Sequence, residues 1–136
     1  MPALEQLWRI YFVKDCRHTL PDPKDKYVIA THIDGDTLGF LINSQITPWV
    51  QRRPHLLVCE APILAQQHSI LRHDSIVDCR SLYPFTDDEL TVHKGMVSAQ
   101  AKSDILKAIA QCPVLLEKHK IAILARETSP PPTNAA

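Results

Sequence analysis

After Tyr83-Pro84 the hydrophobic period of this chain changes from two to 3.6, and that switch restricts the folds open to it. Before it, apolar residues come in short β-branched and aromatic runs bounded by Pro, Gly or charged residues. After it, they recur at helical spacing. A block of strands followed by a block of helices argues for an α+β domain with a segregated helix, not for alternating βαβ units.

The strand block reads as follows. Residues 7–13 (LWRIYFV) form a first strand, and residues 14–26, with Pro21, Pro23 and many charges, an exposed loop. Residues 26–33 (KYVIATHI) are the second strand, turned by Asp34-Gly35-Asp36 into a third at 38–42. Two more are expected at 55–60 and 75–79, the latter being the last, with a polar, His-bearing connection at 66–74 between them. Residues 43–54 are an irregular loop carrying Trp49, Arg52 and Arg53 between two prolines. Strands joined in this way suggest a small, strongly bent sheet or barrel whose loops carry function.

In the helix block, Thr86 to Glu89 (TDDE) matches a capping box but has room only for a short turn before Gly95. Ser98 is the better cap. Ala101, Ile105, Ala108, Ile109 and Cys112 then share one face, opposite Lys102 and Lys107, and Pro113 ends the helix. A second amphipathic piece, 115–124, is expected to pack Leu116, Ile121 and Leu124. Residues 1–127 thus read as one domain, and 128–136, with SPPP, as a flexible tail.

Composition removes several function classes. Lys plus Arg equals Asp plus Glu at 15 each, so no global field attracts nucleic acid, and any such binding must come from a local patch. The N-terminus lacks the pattern of a signal peptide, and no run is long and apolar enough to span a membrane, so a cytoplasmic protein with no membrane partner is expected. The three glycines fall far from any phosphate-loop spacing. Four scattered cysteines without a CxxC pair read as buried reduced thiols, with structural zinc the minor alternative. Asp74 and Asp78 share a strand face, yet no third ligand accompanies them, so no metal and no cofactor is expected.

From Leu71 onward the order of residues resembles the MazF/PemK family of toxin ribonucleases. Arg72-His73-Asp74-Ser75-Ile76-Val77-Asp78-Cys79, with Leu82 and Leu90, is similar to the family strand KxDSxVxxxQIxTxxxxxL. Gly95, Val97-Ser98 and the Ile105/Ile109 helix follow in family order. Residues 38–45 (LGFLINSQ) resemble the strand that ends in the family's catalytic Thr, which places Ser44 there. Residues 27–34 resemble the RPVLVIQND strand, and 10–15 the first strand. The family's catalytic Arg precedes a Pro at the start of that second strand, whereas this chain has Lys26 before Tyr27, with Lys24 nearby. The family's glycine-rich first loop is replaced by HTLPDPKDK, and Arg53-Pro54 reads as a coincidental match. The resemblance implies an SH3-like, mostly antiparallel barrel with a C-terminal helix, a homodimer, an antitoxin partner, and metal-independent cleavage of single-stranded RNA.

Such cleavage needs a base for the 2′-hydroxyl, a cation for the phosphorane and an acid for the leaving oxygen. The resemblance gives these roles to Lys26, for charge, and Ser44, for a hydrogen bond to phosphate. Lys lacks the bidentate fork of Arg, so proton transfer falls to a histidine such as His32 or His55. Lys24, Trp49, Arg52, Arg53 and His55 are RNA-binding candidates, cations for phosphate and an indole for a base. If the second and third strands form a hairpin, Lys26 and Ser44 lie at one rim, over which the Trp49 loop would fold. The alternative is a barrel that has lost catalysis and binds RNA or a protein partner, because Trp and Arg also make protein hot spots.

Overall fold

A computed structural model describes residues 4–128, so the expected Pro-rich tail at 129–136 lies outside the described residues. The fold is α+β: a six-stranded, wholly antiparallel sheet curled into a half-barrel, with helices at the C-terminal end. The strands are β1 (Arg9–Cys16), β2 (Lys24–Asp34), β3 (Asp36–Asn43), β4 (Glu60–Ile63), β5 (Ser75–Phe85) and β6 (Val92–Met96), in the spatial order β4-β5-β3-β2-β1-β6. Two one-turn helices, α1 (Pro48–Gln51) and α2 (Pro54–Leu57), sit between β3 and β4. α3 (Ala99–Gln111) and α4 (Glu117–Thr128) close the chain.

Both faces of the central strands are buried, which is why their sequences run apolar without strict alternation. On one face Ile10, Ile29, Phe40, Ile42 and Val77 pack with Ile105 and Ile109 of α3 and Ile123 of α4. On the other, Tyr11, Val13, Val28, Ala30, Leu41 and Phe85 form a second core. Curling brings β2 and β3 close together at Gly39, where a Cβ would stand 2.9 Å from the Ile29 carbonyl oxygen. The Asp34-Gly35-Asp36 turn forms as its sequence requires, with Asp34 opposite Asp36 and Gly35 at φ +76°.

Ser98 caps α3 by accepting the Ala101 N–H at 3.0 Å, and Ala101, Ile105, Ala108 and Ile109 are its buried face. α4 is docked through Glu127, which accepts from the Trp8 indole (3.1 Å) and pairs with Lys102 (2.8 Å). Arg126 of α4 reaches the Thr31 carbonyl.

Three expectations need correction. The strand at 55–60 is absent: Pro54 stands at the first position of α2 and sets a helical start, so the strand begins at Glu60. β4 includes Pro62, tolerable because β4 is an edge that pairs only with β5. The strand at 75–79 is neither so short nor the last, since β5 runs to Phe85 and β6 follows, pairing with β1 through Phe12↔Val92. The turn between β5 and β6 is the expected one: Thr86 N–H donates to Glu89 Oε1 at 3.0 Å and Glu89 N–H to Thr86 Oγ1 at 3.3 Å, and it leads into β6. Finally, Leu116 and Ile121 are 56% and 60% exposed, because Leu115, just before α4, and Ile123 on it are the residues turned to the core.

Candidate functional site

Antiparallel neighbours place the start of β2, the end of β3 and the start of β5 at one end of the sheet. Asn43 lies opposite Ile76, and Val28 opposite Leu41, so Lys26 and Asn43 come alongside each other. A cleft of about 310 Å³ opens there. Ile42, Ile70 and Leu71 supply apolar wall, and Lys26, Asn43, Ser44, Arg72 and His73 supply its polar chemistry, with Asp25, Tyr27 and Ser75 completing the lining.

Lys26 is half-buried, and its ammonium donates to Asn43 Oδ1 at 2.5 Å and to the Ile42 carbonyl at 3.3 Å. Two of its three N–H bonds are thereby spent and one remains for a ligand. Burial, followed by the nearby Lys24 charge, holds its pKa below the ordinary lysine value. Ser44 is exposed just past β3, and Arg72 is exposed across the cleft.

His73 is the group best suited to moving a proton. Its Nδ1 lies 2.9 Å from the Asp74 carbonyl oxygen. A carbonyl only accepts, so Nδ1 carries the hydrogen, and in the neutral ring Nε2 keeps the lone pair of a base. The segment that carries Arg72 and His73 is braced on both sides. Asp74 Oδ1 accepts from the Ala65 N–H at 2.9 Å, and the Ser75 hydroxyl donates to the His73 carbonyl at 3.1 Å. Behind it, buried His68 donates from Nδ1 to the Leu64 carbonyl (2.8 Å) and accepts the Ser98 N–H at Nε2 (3.0 Å), which ties the connection to the α3 cap.

The structure thus brings Lys26 and Ser44 to one cleft, while the Trp49 loop does not line it. Trp49 is 52% exposed on α1, with the Arg53 guanidinium 4.0 Å over its ring and Arg53 Nη1 donating to the Trp49 carbonyl at 2.7 Å. Arg52 and His55 are exposed on this same helical connection, and Lys24 is exposed two residues before Lys26. His32 is also elsewhere, packed against His119 with ring centroids 5.5 Å apart and bonded to Arg126. No family model matches the chain, and no curated protein does. The MazF/PemK resemblance therefore rests on its quoted residues.

Arg72 and His73 were not expected as site residues. Their signal was a basic Arg-His doublet at the end of an irregular connection, but only the adjacency of β3 and β5 carries it to Ser44. Asp74 and Asp78 are separately engaged, the latter by the Arg80 guanidinium at 2.9 Å. Among the described residues, no group of three or more His, Cys, Asp or Glu side chains is placed to hold a metal ion. No helix among them is long and apolar enough to cross a membrane.

Proposed function

We propose that the cleft binds single-stranded RNA and cleaves it without a metal ion, on an SH3-like barrel of the MazF/PemK kind. One observation carries this reading: an ammonium, a guanidinium, a hydroxyl and an imidazole with a free Nε2 converge on one cleft. His73 Nε2 takes the proton of a ribose 2′-hydroxyl, whose oxygen attacks the adjacent phosphorus. Lys26 and Arg72 hold the charge that develops on the phosphorane, and the Ser44 hydroxyl donates to a phosphoryl oxygen. Lys26, made more acidic by burial, then gives a proton to the departing 5′-oxygen. The products are a 2′,3′-cyclic phosphate and a free 5′-hydroxyl.

The Trp49 and Arg53 stack supplies a separate patch for flanking nucleotides, since an exposed indole can stack a base while the guanidinium meets phosphate. It also favours a second reading, in which the barrel holds RNA, or a protein partner such as an antitoxin, without cutting. Incubating the purified protein with single-stranded RNA in EDTA and mapping new ends separates the two. New 2′,3′-cyclic phosphate ends support cleavage; intact RNA that still binds leaves the second reading.

A further inference from the structure

The four cysteines are all free thiols and all buried, but only two are shown with their sulfurs in contact. Cys59 Sγ lies 2.6 Å from Cys112 Sγ, and both residues are fully shielded from solvent. Cys59 is the residue before β4, and Cys112 is the C-cap of α3. A bond between them would fasten the end of the helix to an edge strand. Cys79 is near through its backbone, its N–H donating to the Cys59 carbonyl at 3.0 Å, but its Sγ is turned to the Val77 carbonyl at 3.8 Å. Cys16 belongs to the other core.

We propose that Cys59 and Cys112 are a reversible disulfide site, closed by a small-molecule disulfide of the oxidised-glutathione class. One protein thiolate attacks a sulfur of the oxidant and expels one reduced thiol. The second protein thiolate then attacks the mixed disulfide and expels the other. Two protons and two electrons leave the protein, and the oxidant is reduced to two thiols.

Burial first, and the Cys112 contact second, push the Cys59 thiol well above its ordinary pKa, so thiolate is scarce while the site is closed. Exchange therefore proceeds through opening of the α3 C-terminus. That end is held by the Cys112 N–H on the Ile109 carbonyl (3.3 Å) and by the Lys120 ammonium on the Cys112 carbonyl (3.0 Å). The bond forms slowly and, once the core closes over it, reopens slowly. It spans a sequence separation of 53 residues, so its main effect is to constrain the unfolded chain.

The test is to incubate the full chain with oxidised glutathione, with and without a cycle of partial unfolding and refolding, block remaining thiols by alkylation, and map non-reduced peptides. The expected result is loss of two of the four thiols, one cross-link joining Cys59 to Cys112, and a Tm raised by about 5–15 °C that dithiothreitol reverses. A Cys16→Ser/Cys79→Ser variant should keep the cross-link, and Cys59→Ala or Cys112→Ala should abolish it. Four alkylated thiols after the refolding cycle, or a cross-link from Cys59 to Cys79, would overturn the proposal. The native peptide map decides even where a variant fails to fold.

Discussion

His73 is exposed and its Nδ1 bonds only to its neighbour's carbonyl, so replacing it removes chemistry while leaving the core intact. His73→Ala should lower RNA cleavage about 10²–10⁴-fold, the usual worth of a general base, with RNA affinity changed only a few-fold. Single-turnover rates beside equilibrium binding check this. Glu60 has a side chain only 5% exposed, and its Oε2 has no hydrogen-bond partner among the described residues. Burial first, and the Asp78 charge second, push its carboxyl up to about 7 from 4.5. Between those values the folded state binds more protons than the unfolded one, so this group's contribution is present below 4.5 and is lost as pH rises through about 7. Relative to Glu60→Gln, the native protein should lose up to about 3 kcal/mol across that window in urea titrations. Parallel pH curves for the two proteins would contradict it.

Among the elements, the β2–β3 hairpin and α3 could be read from the sequence because local chemistry dictates them: Asp34-Gly35-Asp36 demands a turn, and Ser98 begins an unbroken helical face. The hairpin also sufficed to put Lys26 beside the end of β3. Other elements were hidden for physical reasons. β6 is an edge strand with the polar sequence VHKGM, so no apolar alternation announces it. In α2, the strand propensity of the Leu57 to Cys59 segment gives way to Pro54 and to the pairing of Glu60–Ile63 with β5. Gly39→Ala sets a methyl 2.9 Å from the Ile29 carbonyl oxygen, backbone that cannot move without disturbing the β2–β3 ladder. The expected cost is roughly 1–3 kcal/mol, as for overpacking elsewhere, read as a lower urea midpoint with unchanged slope. An unaltered midpoint would show that the two strands are not held so closely.

For the whole molecule, the site could not be assembled from the sequence, because Arg72 and His73 meet Ser44 only through the non-sequential neighbours β3 and β5. A homodimer is the prediction that belongs to what the fold leaves uncovered. Val114, Leu116 and Ile121 are all at least half exposed at the C-terminal helical end, an apolar patch that a second copy would bury. Light scattering at micromolar concentration should give the mass of a dimer, and Leu116→Glu/Ile121→Glu should give a monomer. A native monomer would refute this. On the proposed RNA-binding reading, the chain's zero net charge leaves affinity to local cations, Lys24, Lys26, Arg72 and Arg53, so binding should weaken with salt according to those few contacts.

The most direct test of the cleft is an NMR titration of the protein with a short single-stranded RNA whose scissile 2′-hydroxyl is replaced by hydrogen, so that it binds uncut. The largest shifts should fall on the His73 imidazole, the Lys26 and Ser44 amides and the Arg72 side chain, with smaller ones at Trp49. Shifts confined to Trp49, Arg52 and Arg53, with the His73 and Lys26 signals unmoved at saturation, would contradict the account.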